Sequence, residues 1–555
     1  MKFKAFLFFS MIIVVVGIMF SLQLWQASAQ SLAPPASEKP SLTEPLFLKG
    51  KVIYEKQCLL CHGAAGGGDG KAAYLLYPKP RDFTRGEFRL ISTSEMEATD
   101  QDLFNTISRG MPGSSMPSWD FLSEEERWAL VYYIRYLEEA GEAISKGELS
   151  QTQVTEGLDW DRKAKLISFH GDLQSMGIPE EKPAASENIE RGRQLFVKAC
   201  ASCHGAQGKG DGQMKMMDSS GYPLRPRDLT AGIFKGRFDY ESLYYRVAAG
   251  LPGSPMPGYK DALTEEQISD LVHYIQTLPE EGAEERHRVR RHRIIATMIN
   301  GKLELDPSAE QWSVQEPTDI ALTPLWWRDE RIESVEVRVL HNGDELAIHL
   351  SWNDPTQDES MITPQSFSDG AAVQISTEKD PPFFAMGAKG TPVTIWHWKA
   401  SWQEETKSWE DIETKYPHTA TDFYESQTDY QHGTPFETSD SKAVSHDPLF
   451  MTGHGSGNPL SDPNRKSAVE SAQAEGLGTL TTSHSELGDV EARGVYAAGK
   501  WAVVFHRKLV SSQEAGITFK PGEPFSIAFA VWDGSKEDRN GQKMVSVWNE
   551  LTLES

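Results

Sequence analysis

All four cysteines of this 555-residue chain fall into two copies of one short pattern, Cys58-Leu59-Leu60-Cys61-His62 and Cys200-Ala201-Ser202-Cys203-His204. In C-x-x-C-H the two thiols add across the vinyl groups of a haem, and the adjacent imidazole takes an axial position on its iron. Zinc sites need four ligands each, and neither zinc nor a disulfide explains a histidine at the same place twice. Two covalent haem c groups are therefore expected, each tying the chain at two points to a rigid cofactor.

Each motif heads one copy of a longer unit. The first copy runs from Gly50 through Cys58 to Gly63, Gly68-Asp69-Gly70 and Pro80-Arg81-Asp82-Phe83-Thr84. The second runs from Gly192 through Cys200 to Gly205, Gly210-Asp211-Gly212 and Pro226-Arg227-Asp228-Leu229-Thr230. Both continue to a Gly-Met/Leu-Pro-Gly-Ser-x-Met-Pro segment, Gly110 to Pro117 and Gly250 to Pro257. Both end in a helical pattern in which Ser123 or Thr264 precedes glutamates and then apolar residues at helical spacing. A period of about 140 residues marks tandem domains rather than a solenoid.

The duplication also points to the sixth iron ligand. Met116 and Met256 hold equivalent places, each before a proline, and a soft thioether stabilises ferrous iron. Met111 is a nearby competitor, but its counterpart is Leu251, so it is not the ligand common to both copies. On these motifs the region resembles a tandem pair of class I cytochrome c domains. The resemblance implies two small all-α domains, at 45–140 and 188–282, with His62/Met116 and His204/Met256 as axial pairs. The stretch from Gly68 to Leu90 departs from the smallest members in its length and its Tyr and Pro content.

A chain this long exceeds one core, and three domains are expected. Lys2 and Lys4, an apolar run to about Phe20 and Ala27-Ser28-Ala29 read as a secretory signal over 1–29 with cleavage after Ala29. Left uncleaved, the same run is nearly long enough for an anchor and a membrane association. Either outcome puts the remainder in the periplasm or on the extracytoplasmic face, where haem c is attached. The net charge of −25 argues against nucleic-acid binding. Residues 141–187 read as a polar linker with a short helix near Asp159–Phe169. The run Arg286-His-Arg-Val-Arg-Arg-His-Arg293 reads as a basic linker over 283–293 or a docking patch for an acidic group.

From about 294 the pattern changes to strands. Val335–Leu340 and Leu346–Trp352 flank an Asn342-Gly343 turn, a hairpin signal. Further short strands at Ala371–Ile375, Pro392–Trp398, Trp501–Phe505 and Phe525–Trp532 suggest a mainly-β sandwich over 294–555. A long loop, 401–490, is expected to interrupt it, with His432, His446 and His454 as loop residues. The words Phe367-Ser-Asp-Gly370, Pro381-Pro-Phe-Phe-Ala-Met-Gly387, Pro392–Ala400, Gly499–Arg507 and Arg539-Asn-Gly-Gln-Lys543 resemble the ethylbenzene dehydrogenase gamma-subunit family. That resemblance implies one non-covalent haem b with a methionine and a lysine as axial ligands, here Met386 and Lys543. His397 and His506 are rival ligands, and Lys399, Arg507, Trp396 and Trp398 are candidates to line the haem or its propionates.

Three haems on one chain form a wire. Neither a nucleophile elbow nor a phosphate loop is present, so no catalytic residue is expected. The resemblance implies a gamma-type subunit of molybdenum oxidoreductases, partnered by iron–sulfur beta and molybdenum alpha subunits, passing electrons to or from a soluble cytochrome c or a terminal oxidase. Two alternatives stand beside it. One is a cytochrome c subunit of a quinol-oxidising membrane complex, or a free shuttle. The other is a dihaem redox enzyme with a haem-free β module.

Overall fold

A computed structural model describes residues 39–167, 173–218, 221–383, 386–408, 415–416, 465–482, 489–512 and 516–555. The chain divides into two units, Met1–Thr43 and Glu44–Ser555. The described part of the first, 39–43, holds neither helix nor strand, and the expected signal segment 1–29 lies outside the described residues. Everything below concerns the second unit, in which both helical modules and the sheet domain form one compact body.

The first module packs α1 (Glu44–Gln57), α2 (Asp100–Arg109) and α3 (Glu124–Ser145). The expected N-terminal signal of α3 is a capping box, in which Ser123 and Glu126 each satisfy the other's backbone N–H. α1 and α3 cross at Gly50, where a Cβ would lie 2.0 Å from the Ala129 carbonyl oxygen. Phe47 and Tyr54 of α1 fill the crossing against Tyr133 and Tyr136, with ring centroids 5.0–5.5 Å apart.

A short helix, α4 (Trp160–Ile167), follows within the connector and packs Trp160 against Phe47, tilted, with ring centroids 5.8 Å apart. The second module repeats the first. α5 (Ser186–Ala199), α6 (Tyr240–Ala249) and α7 (Glu265–Gln276) correspond to α1–α3, Thr264 and Gln267 form the capping box, and a Cβ at Gly192 would lie 2.0 Å from the Asp270 carbonyl oxygen. It is not purely helical as expected. β1 (Met216–Met217) and β2 (Pro223–Leu224) pair antiparallel in the longer loop that follows Gly212.

Two segments that sequence reads as linkers are packed. In the connector, Met176 N–H donates to Ser92 O at 2.8 Å, and Met176 and Ile178 join the second module's core. In the basic run, Arg288 pairs with Asp120 and Glu285, Arg290 with Glu285, Arg291 with Asp380 at 2.6 Å, and Arg293 with Glu550. Arg291 also lies over Phe121, so this run stitches the first module to the sheet domain rather than offering an unpaired docking patch.

Among the described residues the C-terminal domain has fourteen strands, the main path running β11-β10-β9-β8-β14-β16-β3-β6-β7-β13-β12. The order begins with β3 (Arg293–Met298), β4 (Thr318–Ala321), β5 (Thr323–Pro324), β6 (Ser334–His341) and β7 (Glu345–Asn353), and Asn342-Gly343 forms the expected hairpin turn. Next come β8 (Gly370–Ser376), β9 (Val393–Lys399), β10 (Val469–Ala474), β11 (Thr481–Thr482) and β12 (Val490–Ala497). β13 (Lys500–Lys508), β14 (Pro524–Trp532), β15 (Met544–Val545) and β16 (Asn549–Leu553) complete it.

β3 pairs in parallel with β16 on one side and β6 on the other, hinging two halves whose inner faces share one core. Trp396 and Trp398 of β9 meet Trp352 and Trp501 from the opposite half there, as a sandwich requires. Gly494 of β12 has no room for a Cβ, which would sit 2.3 Å from the Trp398 ring. Part of the segment expected as loop is ordered sheet. β10 pairs along the whole of β9, Val469 with Trp398 through Ala474 with Val393, although Glu470, Ser471 and Gln473 weaken its strand signature. His432, His446 and His454 lie outside the described residues.

Candidate haem centres

Each C-x-x-C-H motif begins where the first helix of its module ends. Residues Leu59–His62 form one helical turn, closed by Gly63 at φ +78° with its N–H on Leu59 O. Residues Ala201–His204 and Gly205, at φ +75°, repeat that geometry. Asp69 crowds Gly63 and Asp211 crowds Gly205, so closely that a Cβ at either glycine would strike the carboxylate.

The His62 ring nitrogen Nδ1 lies 2.9 Å from the Arg81 carbonyl, and His204 Nδ1 lies 3.2 Å from the Arg227 carbonyl. A carbonyl only accepts, so Nδ1 carries the proton in both rings and Nε2 keeps its lone pair. Burial pushes His62 down to about 4 and lowers His204, which holds both imidazoles neutral near pH 7. Phe83 stacks on His62 at 4.4 Å and fixes its plane. The thiols of Cys58 and Cys61 are pushed up to about 12 by burial, and Cys200 to about 11, and no disulfide joins any of the four.

Both methionine segments fold alike. Met111 N–H bonds Met116 O and Leu251 N–H bonds Met256 O, while Ser114 and Ser254 hydroxyls close each turn onto the residue three before. Cys58, Cys61, His62 and Met116 line one cavity together with Met111. Cys200, Cys203, His204 and Met256 line the other, of ≈ 610 Å³, together with Met216. Met216, whose sulfur is 3.8 Å from Cys203, is a rival that sequence reasoning missed. It has no methionine counterpart in the first module.

In the sheet domain, Met386 and Lys543 approach one apolar face. Met386 packs on a cluster that includes Ala372, Ile395, Ala530, Trp532 and Trp548, on the side of β8, β9 and β14 away from the sandwich core. Lys543 Nζ lies 4.7 Å over the Trp532 ring, and burial lowers its ammonium to about 8, which makes the neutral, ligating amine accessible. His397 stacks on the same Trp532 at 4.4 Å; burial, then the charges of Lys399 and Lys543, push its imidazole well down.

Of the other candidates named from sequence, Lys399 shares the face of β9 that carries His397, and the rest lie elsewhere. His506 faces Glu345 and Glu491 on β13 in the opposite half of the sandwich. Trp396 and Trp398 point into the sandwich core, opposite to His397, as strand alternation requires. Arg507 donates to Lys508 O and Ile517 O, and Lys399 pairs with Glu470 at 2.9 Å.

The first module is bolted to this domain through residues adjacent to its own site. Gln57, next to Cys58, accepts from Phe383 N–H at 2.8 Å. Ser115, next to Met116, donates to Pro324 O and Leu325 O, and Thr323 donates to Ser114 O. Phe383 itself lines the first cavity and meets Trp119 edge-on at 5.5 Å, three residues before Met386. Leu325 N–H is bonded to Lys543 O at 3.4 Å. The backbones that carry Met386 and Lys543 thus abut the wall of the first haem cavity.

The fit to known families follows the same division. The ethylbenzene dehydrogenase model matches residues 310–544, the cytochrome c model 189–279, and the model for subunit III of cbb3-type cytochrome c oxidase 45–134. A putative respiratory nitrate reductase heme subunit of Haloferax mediterranei is 27% identical over 40% of this chain and 56% of its own length. The gamma subunit of dimethylsulfide dehydrogenase from Rhodovulum sulfidophilum is 24% identical over 40% of this chain and 62% of its own. The FixP subunit of cbb3-type cytochrome c oxidase from Azorhizobium caulinodans is 24% identical over 43% of this chain and 62% of its own. The chain thus spans less than two thirds of these three relatives. The chain therefore carries an ethylbenzene dehydrogenase-like domain at 310–544 preceded by two cytochrome c domains, and its relatives include the gamma subunits of dimethylsulfide dehydrogenase and of chlorate reductase from Ideonella dechloratans.

Proposed function

We propose that this chain is an extracytoplasmic three-haem electron-transfer subunit without catalytic residues of its own. Cys58/Cys61 and Cys200/Cys203 would bind two c haems, with His62/Met116 and His204/Met256 as axial pairs, and Met386 and Lys543 would hold a haem b. Each haem supplies one reversible electron, and the chain supplies ligands, burial and spacing. The reading rests above all on one observation. The segment bearing Met386 is hydrogen-bonded through Phe383 to Gln57, beside Cys58, and Lys543 O accepts from Leu325, whose own carbonyl accepts from Ser115, beside Met116, which supports two neighbouring centres. Electrons would run between the sheet-domain centre, the first module and the second, in that order.

By analogy with the gamma-subunit relatives, the partner at the haem b end would be an iron–sulfur subunit of a molybdenum oxidoreductase. At the other end it would be a soluble cytochrome c or a terminal oxidase. The resemblance of residues 45–134 to a cbb3 oxidase subunit favours a second reading, delivery inside a membrane oxidase complex. Among the described residues no helix is long and apolar enough to cross a membrane.

Stopped-flow mixing tests the proposal. Reduced protein should transfer electrons to ferric soluble cytochrome c while carbon monoxide leaves its c-haem spectrum unchanged, because both axial positions are filled. A fast carbon monoxide adduct at a c haem would instead support the dihaem-enzyme alternative.

A further inference from the structure

The two haem cavities share a cationic wall. Pro78, Arg89 and Lys235 line both of them, Arg81 lines the first and Arg227 the second. These four cations are two equivalent pairs of the internal repeat. Arg81 and Arg227 each follow a proline and precede Asp, and Arg89 and Lys235 each follow a phenylalanine eight residues later. Arg81 and Arg227 are also the residues whose carbonyls orient His62 and His204.

The cluster is not directly paired with carboxylates. None of the four forms an ion pair with a described residue, and Arg89 Nη1 is buried with no hydrogen-bond partner. Arg227 crosses to the first module, where its Nη2 donates to Gly113 O at 3.0 Å. Glu87, Asp82, Asp218 and Asp329 are the acids that face the cluster, and Asp82 is already engaged by Thr84 and Arg85. Burial and repulsion from Arg89, Arg227 and Arg81 push Lys235 well below its ordinary value. Four part-buried cations lining one wall, with no direct ion pair to a described residue, favour the arrival of further anions from outside the chain.

We propose that Arg81, Arg89, Arg227 and Lys235 form one carboxylate clamp that binds the propionates of both c haems in a single shared cluster. This rests on the assignment of a c haem to each module. Two haems bring four propionates to four cations, and guanidinium–carboxylate pairing is the strong form of that contact. Sharing has an electrical consequence. A cation near a haem favours its ferrous form, so a cation common to both must raise both potentials.

The experiment is a spectroelectrochemical titration of the full chain loaded with its haems, comparing Arg89→Gln and Lys235→Gln with the exposed-site control Lys209→Gln. At the wild-type midpoints, each clamp variant should lower the reduced-to-oxidised ratio of both c-haem waves by roughly three- to tenfold. Lys235→Arg should restore both waves, and Lys209→Gln should move neither. If each clamp variant shifts only the wave of its own module, or shifts none, the shared clamp is overturned. A chain that acquires fewer than two covalent haems overturns the haem assignment instead, which haem staining on a denaturing gel reports separately.

Discussion

Replacing Gly50 by alanine should damage the first haem site from a distance. The new Cβ would stand 2.0 Å from Ala129 O and 2.5 Å from its carbonyl carbon, both rigid backbone of α3. Ordinary contact begins at 3.4 Å, so the crossing has to open by roughly 1.4 Å. Opening it loosens the packing of Phe47 and Tyr54 against Tyr133 and Tyr136. Overpacking of a core costs about 1–3 kcal/mol, and an obstacle that cannot rotate away puts this case at about 3 kcal/mol or above. For a module of this size that is a fall in melting midpoint on the order of 10 °C. Because α1 ends at Gln57, immediately before Cys58, the displacement reaches the attachment motif. Thermal melts followed at the haem Soret band should therefore show the first module melting early in Gly50→Ala. The second module, intact in the same chain, is the internal reference. Gly157→Ala, with no heavy atom within 4 Å of its added Cβ, should melt like wild type. A Gly50→Ala protein with the wild-type midpoint and full haem content would refute the close-crossing argument.

Three further outcomes are expected. Arg135 is 1% exposed and bridges Asp100 and Glu138 at 2.7 Å each, so Arg135→Met should destabilise the first module by about 3–5 kcal/mol, read by denaturant titration. Asp354, Asp369 and Asp533 lie buried within 4.8 Å of one another; burial, with the charge of Asp533 adding, raises Asp354 to about 6, and burial with the charge of Asp354 raises Asp369 to about 7. Since the folded state holds these protons more tightly, stability should fall as pH rises from about 4 to about 7 and level off above. Asp354→Asn should gain up to about 3 kcal/mol over wild type at pH 7.5 and nothing at about pH 4, measured by denaturation at both pH values. Met386→Ala and Lys543→Ala should each reduce acid-acetone-extractable haem while leaving gel-stained covalent haem unchanged; equal extractable haem in variant and wild type would exclude that residue as a ligand.

The parts of this chain legible in its sequence are those encoded locally or twice. The attachment motifs, the capping boxes at Ser123 and Thr264 and the Asn342-Gly343 hairpin depend on neighbours within a few residues. The repeat exposes the Met116 and Met256 segments by position alone. What stayed hidden depends on tertiary contact. β10 carries polar residues at Glu470, Ser471 and Gln473 and is a strand because β9 offers it an edge. The arginines of 286–293 look like a free patch until Asp120, Asp380 and Glu550 are brought beside them. Alternation along β9 could have separated His397 from Trp396 and Trp398, and the repeat could have paired Arg89 with Lys235, but only folding puts those two cations in one wall.

The most direct test of the three-haem wire is the haem inventory of the purified mature protein, by pyridine haemochrome spectra before and after acid-acetone extraction. Two covalent c haems and one extractable b haem per chain are predicted. Two c haems with no b haem, in protein produced with ample haem, would contradict the account and leave a dihaem cytochrome joined to a β-sandwich of another purpose.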